Sequence, residues 1–358
     1  MGSRVEVPLR GRGAVSNRSG RYESLQRRVV DDGWGTIDQP IEKLTTTIDV
    51  DRARTVIAYN QSPDIAFDRS INPYRGCEHG CVYCYARPTH ARFGFSPGQD
   101  FESRLFYKPD IAARLERELS APGYRVAPVA IGANTDAYQP IERKFEVTRD
   151  ALRVLAAHHH PCTIITKSAL VERDLDILAP MAAKGLASVA VSITTLDRHL
   201  ARRLEPRAAA PARRLETVRR LRASNVPVTV MIAPLIPALN EPELETLVAA
   251  ARDADANAVR YILLRLPLEL TDLFDEWLQA HYPLKRDRVL ANLRDTRGGK
   301  LYDSSWHQRM RGQGPLADLI EDRFRLAERR AKFPGSTPLD TSRFLPNPGA
   351  PTQLGLGL

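Results

Sequence analysis

Cys77-Glu78-His79-Gly80-Cys81-Val82-Tyr83-Cys84 is the stretch on which the reading of this chain turns. Three cysteines fall in the spacing C-x3-C-x2-C, with an aromatic residue just before the last. Three thiolates this close together hold three irons of a [4Fe–4S] cube and leave the fourth iron without a protein ligand. A purely structural or electron-transfer cluster normally takes four cysteines. An open iron is a place for a small molecule to coordinate. The segment before the loop, residues 65–75, reads as a strand entering a turn.

Zinc is the competing reading of clustered Cys with nearby His79 and His90, and it wants four N/S ligands in a tetrahedron. The spacing is unusual for zinc, and no second C-x2-C pair lies downstream. A disulfide framework fits less well, because four cysteines in 358 residues are too few to staple a domain of this size.

The loop resembles the cluster-binding loop of the radical S-adenosylmethionine (radical SAM) superfamily. The flanking words Asn72-Pro73-Tyr74-Arg75-Gly76-Cys77 and Cys84-Tyr85-Ala86-Arg87 resemble a bacterial subfamily of unassigned reaction related to spore photoproduct lyase. The resemblance spans roughly residues 55–330. It implies a [4Fe–4S] cluster on Cys77, Cys81 and Cys84, with S-adenosyl-L-methionine on the open iron. It also implies an electron donor such as flavodoxin or ferredoxin.

Outward from the loop, short apolar runs alternate with amphipathic segments. The runs are 126–133, 162–166, 188–194, 226–233 and 258–264, continuous as in strands buried on both faces. Helical periodicity marks 110–119, 148–157, 175–184, 215–223, 241–251 and 270–281. With the strand before the loop, this makes six strand–helix units of βα size. The expected fold class is α/β, a partial (β/α)6 TIM-like barrel of the radical SAM type with N- and C-terminal extensions. Chemistry in such barrels sits at the C-terminal strand ends, where the cysteine loop falls.

Residues 1–45 read as a flexible basic arm and 46–268 as the barrel. Residues 269–335 read as a helical extension or lid that includes Trp306-His307-Gln308-Arg309, and 336–358 as a flexible Pro/Gly-rich tail.

Strand two ends in Gly132-Ala133-Asn134-Thr135-Asp136. A strand-end glycine admits close approach of a ligand to the backbone. Asn134, Thr135 and Asp136 offer groups for an amine, and the resemblance makes this the segment that holds the methionyl amine. In spore photoproduct lyases the segment carries a cysteine that returns a hydrogen atom to product. Here Asn134 is the nearest match, and residues 85–161 contain no cysteine. Lys167 ends strand three and, by resemblance, meets the methionyl carboxylate; a lysine snorkelling from a strand end is the alternative. Ser192 shares a face with Thr194 and is assigned by resemblance to the ribose. Met231 lies on strand five, whose Pro-stiffened end reads as a flat wall with unpaired backbone groups and, by resemblance, receives the adenine. Tyr83, before the last cysteine, completes the cofactor set. Arg207, in the word Glu205-Pro206-Arg207, is expected near cofactor or substrate. Cys162 begins strand three and reads as a small buried hydrophobe. His158-His159-His160 ends a helix, where a cationic imidazole is favourable.

The composition is that of an ordinary globular chain, 43% hydrophobic and 27% charged. No apolar run is long enough to span a membrane, and residues 1–30 carry no export-signal pattern. Retained thiols and an oxygen-sensitive cluster motif indicate the cytoplasm. The net charge of +9 permits a polyanionic substrate. The arginines are densest over 202–222, which reads either as a solvated helical face or as a nucleic-acid contact. Three functions stay open. These are a nucleic-acid-directed radical SAM enzyme, a radical SAM enzyme acting on a small molecule or peptide, and a non-catalytic cluster- or zinc-containing nucleic-acid-binding module. Oligomeric state is not legible.

Overall fold

The structure is a computed structural model describing residues 11–23 and 44–348. Six parallel strands line up in chain order: β3 (Arg69–Ile71), β6 (Val129–Ile131), β7 (Cys162–Thr166), β8 (Ala187–Ser192), β9 (Val228–Leu235) and β10 (Ala258–Leu263). A short strand β2 (Ile57–Tyr59) adds antiparallel to β3. β3 and β10 do not pair, so the barrel is open on one side. A second sheet of β1 (Thr47–Val50), β5 (Arg104–Tyr107) and β4 (Tyr74–Arg75) braces the cysteine loop. The expected partial barrel is therefore present.

The helices are α1 (Asp100–Ser103), α2 (Ile111–Leu119), α3 (Glu142–Phe145), α4 (Val147–Ala157), α5 (Leu175–Ala183) and α6 (Arg198–Leu204). They continue with α7 (Pro211–Ala223), α8 (Leu244–Asp253), α9 (Leu270–His281), α10 (Pro283–Asp295) and α11 (Pro315–Ala331). Apolar spacing seats them. In α2, Ile111, Leu115 and Leu119 repeat every fourth residue and all are fully buried. Val129, Ile131, Ile164, Val189, Val191, Val230 and Ile232 form the strand side of this core.

The strands are not buried equally on both faces, as continuous apolar runs suggest. β7 and β9 alternate, with Thr163, Ile165, Met231 and Ala233 only half-buried. Side chains alternate across a strand, so these residues face the open barrel interior. There is also a second core. Cys81, Val82 and Tyr83 pack with Leu204, Leu270, Phe274, Trp277 and Leu293. The cysteine loop is thus a wall shared between the barrel and helices α9–α10.

Two stretches expected as flexible are docked where they are described. Gly13 and Ala14 donate their backbone N–H groups to the Glu102 carboxylate at 2.9 and 2.8 Å. Ala14, Val15 and Ser16 are buried. The rest of the expected arm, residues 1–10 and 24–43, lies outside the described residues. At the other end, Phe344 packs on Tyr124, His158 and His160. The Leu345 N–H donates to His158 O at 2.8 Å.

The 305–312 segment spans the open side. Leu263 on the β10 edge donates to Met310 O at 2.9 Å. The His307 N–H donates to Asp64 Oδ1 at 2.6 Å, and Arg309 pairs with Asp64 in the β2–β3 loop. No described helix is long and apolar enough to cross a membrane.

Candidate active site at the cysteine loop

The cysteine loop is folded by tight turns. Gly76 and Gly80 hold φ of +70° and +68°, the left-handed region where glycine avoids strain. Gly80 N–H donates to Cys77 O and Cys84 N–H to Cys81 O, both at 3.2 Å. All three thiols are free; Cys77 and Cys81 are buried and Cys84 is half-buried. Burial pushes Cys77 well above its ordinary thiol range, followed by Asp136 and by Cys81 and Cys84, whose proximity adds mutual repulsion. Burial lifts Cys81 to about 12, against the pull of Lys167. Three crowded thiols, two of them buried and resisting ionisation on their own, fit a cationic iron cluster, which binds thiols as thiolates. Among the described residues no three His, Cys, Asp or Glu side chains converge as ligands of a single ion. The nitrogen donors of the zinc alternative point elsewhere. His79 Nδ1 sits 3.2 Å from Asp136, and His90 is boxed by Phe93, Phe95, Phe101 and Phe106.

Arg87 fastens the loop from behind. Fully buried, it donates to Cys81 O at 2.8 Å, Gly80 O at 3.1 Å and Glu102 at 2.5 Å. Glu102 in turn receives the 13–14 backbone. Glu78 accepts from Arg207 at 2.9 Å and Thr46 at 3.0 Å. Arg207 is therefore engaged with the loop itself.

Among the expected residues, two pairs come together. Ser192 and Met231 are direct register partners on β8 and β9. The Lys167 ammonium lies 5.8 Å from the Tyr83 ring centroid. It has no hydrogen-bond or carboxylate partner among the described residues. Burial would lower its pKa, yet Cys81 and Glu205 hold it raised. It is a charged lysine aimed at the cysteine loop.

Three expectations change, and Gly132 acquires a steric reason. Asp136 is structural rather than an open acceptor. It takes Thr166 Oγ1 at 2.7 Å, Lys167 N–H at 2.7 Å and Tyr138 N–H at 2.9 Å, besides His79. Burial would raise its carboxyl, but His79 first, then the Lys167 N–H and the Thr166 hydroxyl, hold it at about 2. Thr135 is buried, and its hydroxyl donates to Tyr74 O at 2.7 Å. Gly132 is required by its neighbours. At φ +81° a Cβ would meet Ile165 O at 2.7 Å. At the end of β9 the backbone is satisfied, because Pro234 O accepts from Asn240 Nδ2 at 3.0 Å, Ala233 O accepts from Thr194 Oγ1 at 3.4 Å, and Ile236 N–H donates to Asn240 Oδ1 at 2.6 Å. Asn134 alone of its segment is exposed, its N–H held by Asn72 Oδ1 at 2.8 Å.

The residue that sequence reasoning undervalued is Glu205. It is 2% exposed and accepts from the Tyr83 hydroxyl, from Thr194 Oγ1 at 2.6 Å and from the Arg214 guanidinium. Arg214 belongs to the dense arginine run, yet it is 2% exposed and also donates to Ser192 O at 2.9 Å. The run is not a free cationic face. Arg213 and Arg220 both pair with Glu172, Arg219 with Glu216, and Arg222 with Asp255.

A family model of the radical SAM superfamily matches residues 71–251, just over half of the 358. The uncharacterized protein Rv2578c of Mycobacterium tuberculosis is 34% identical over 286 residues, covering 78% of this chain and 82% of that protein. The uncharacterized protein MJ0683 of Methanocaldococcus jannaschii is 26% identical over 173 residues, 48% of this chain and 62% of that one. Among solved structures, spore photoproduct lyase complexed with dinucleoside spore photoproduct superposes with a TM-score of 0.59 at 16% identity, covering 80% of each chain. A mutant of that lyase with bound AdoMet and the same photoproduct superposes at 0.57. The chain belongs to the radical SAM superfamily of enzymes, which use a [4Fe–4S] cluster and S-adenosylmethionine.

Proposed function

We propose that Cys77, Cys81 and Cys84 hold the cluster, and that Lys167, Ser192, Met231 and the Gly132–Asn134 edge receive S-adenosylmethionine at the barrel mouth. The observation that carries this is the unpaired Lys167 ammonium, held beside Cys81 and Tyr83 at the end of β7. Bound there and given one electron by a flavodoxin or ferredoxin, the cluster and S-adenosylmethionine would supply radical chemistry, reductive cleavage to a 5′-deoxyadenosyl radical that would take hydrogen from substrate. The protein's work is to bind, orient and exclude water. Lys167 supplies a charge-assisted bond to the methionyl carboxylate. Asn134, the exposed residue of its segment, faces the amine with its side-chain oxygen. Tyr83, clamped by Glu205 and Thr194, fixes the loop from which Cys84 projects.

For substrate, the net charge of +9 and the fold likeness to a lyase solved with a dinucleoside photoproduct support a nucleic-acid-directed enzyme. Asn134 at the position of the lyases' cysteine argues against the same repair reaction. The test is anaerobic reconstitution of the wild type and of Cys84→Ala and Cys162→Ala, followed by assay for 5′-deoxyadenosine with nucleic-acid, peptide and small-molecule pools. The wild type and Cys162→Ala are expected to bind about four iron and four sulfide, and Cys84→Ala to lose most of both. One zinc and no sulfide in the wild type would overturn the reading. Turnover confined to a peptide or small-molecule pool would overturn its nucleic-acid part.

A further inference from the structure

Arg265 lies beside the cysteine loop with Arg297 behind it, and no carboxylate bridges the two among the described residues. Arg265 follows β10, and its guanidinium lies 4.7 Å from the centroid of the Tyr85 ring. Tyr85 immediately follows Cys84, and its hydroxyl donates to Ala133 O at the end of β6. Arg265 is thus placed beside the cysteine loop, at the open side of the barrel. It is half-buried and has neither a hydrogen bond nor a carboxylate among the described residues.

Its neighbour is Arg297, just beyond α10 and 2% exposed. Arg297 donates to Leu264 O and Gln308 O, both at 2.9 Å, but its Nε–H is buried without a partner. The nearby carboxylates act on the two arginines only from a distance, Asp64 on Arg265 and Asp303 on Arg297, and their hydrogen bonds go elsewhere. Asp64 accepts from His307 N–H and Arg309, and Asp303 accepts from Ser305 N–H at 2.8 Å. Burial, and then the charge of Arg265, bring Arg297 down to about 10. Burial also lowers Arg265, against the pull of Tyr85 and Tyr302, with Arg309 adding to the lowering. Two desolvated guanidiniums side by side are unfavourable unless an anion joins them. A planar guanidinium offers paired donors to a carboxylate or phosphate.

We propose that Arg265 binds an anionic oxygen group of the substrate, a phosphate or a carboxylate, over Tyr85 and beside the cysteine loop. This rests on the proposed function for the arrival of substrate at that mouth, and it narrows the substrate to an anion. Tyr85 orients Arg265 through its ring, and Arg297 adds positive potential behind it.

The test is calorimetric titration of the full-length reconstituted chain at low ionic strength. The probes are inorganic phosphate, a dithymidine phosphodiester and acetate. The wild type is expected to bind at least one saturably, and the probe bound tells phosphate from carboxylate. Arg265→Gln is expected to weaken that binding at least tenfold. Arg265→Lys, which keeps the charge and loses the fork, is expected to weaken it three- to tenfold. Arg330→Gln, an exposed charge in the last turn of α11, is expected to leave it unchanged. Absence of saturable binding by the wild type, or wild-type affinity in Arg265→Gln, overturns the proposal. Thermal melts report folding. Where Arg265→Gln is unfolded, wild-type affinity in Arg265→Lys overturns it. Formation of 5′-deoxyadenosine by the wild type is read separately, so its failure strikes the enzyme reading and leaves the anion result standing.

Discussion

Glu205 and Arg214 form a buried ion pair beneath the cysteine loop, both 2% exposed. Tyr83 and Thr194 donate to the same carboxylate. Burial alone would raise the Glu205 carboxyl, but Arg214, then Lys167, hold it at about 2. Removing one member of such a pair strands the other charge, at about 3–5 kcal/mol. Glu205→Gln and Arg214→Gln are each expected to lose stability on that scale in urea unfolding. The double variant is expected to lose clearly less than the sum, because neither member of the pair is left charged without the other. Additive losses would mean that the two side chains do not act as a pair.

Lys167 makes a sharper test of the cofactor basin. One charge-assisted hydrogen bond is worth about 1.5–3 kcal/mol, roughly ten- to hundredfold in affinity. Lys167→Ala is expected to weaken S-adenosylmethionine binding by that factor with iron and sulfide content unchanged. Unaltered affinity would return Lys167 to a snorkelling strand-end lysine.

Much of this was readable in the sequence, and the reasons are local. The spacing of Cys77, Cys81 and Cys84 carries its chemistry in eight residues. β7 runs over Cys162–Thr166 as its apolar run predicts. Ser192 and Met231, chosen from different strand ends, meet as register partners. What was not legible depends on distant partners. Gly13-Ala14-Val15-Ser16 has no periodicity, and its anchor Glu102 lies 89 residues away from Gly13. Composition alone reads that stretch as an arm. Arg214 was hidden among arginines of the same charge. A signal did exist, since Arg214, Val218 and Leu221 share one helical face and are all buried.

The docked N-terminal segment leads to a steric prediction. A Cβ on Gly13 would lie 1.7 Å from Gly80 O, so Gly13→Ala must displace either the segment or the cysteine loop. Iron loss to a chelator from reconstituted Gly13→Ala is expected to be several-fold faster than from wild type. Equal rates would mean that the segment leaves the loop without consequence for the cluster.

The arginine run leads to a prediction about salt. Arg213, Arg219 and Arg220 already have carboxylate partners. Exposed Arg198 and Arg202 have none among the described residues. Each phosphate contact contributes roughly 0.9 to the slope of log affinity against log salt on duplex DNA. Arg198→Gln with Arg202→Gln is expected to reduce the slope by about 2, and Arg213→Gln with Arg219→Gln by less than 1. Equal reductions would contradict this division. No binding by the wild type at low salt would leave the +9 as solvated charge.

A final prediction concerns the other end of the barrel, where a cationic histidine run was expected. His158 and His160 are instead fully buried. His160 Nε2 accepts from Tyr124 at 2.7 Å and Nδ1 faces Pro161 O at 3.0 Å, with Phe344 packed edge-on. Burial lowers its pKa from 6.5 to about 4, against a raising bond to Pro161 O and helped by the nearby charge of Arg69. The unfolded chain therefore takes the proton first. The stability contributed by neutral His160 is complete above the ordinary pKa and is lost as pH falls from 6.5 towards 4. That shift is worth about 3 kcal/mol at most. His90, also lowered to about 4 by burial, adds a loss in the same window. Thermal melts of the metal-free chain are expected to fall steadily in Tm from about pH 7 to about pH 4.5. His160→Gln, which keeps an acceptor for Tyr124 and cannot titrate, is expected to melt lower at neutral pH and to flatten the decline. Parallel Tm curves for the two chains would show that His160 is not held neutral by its burial.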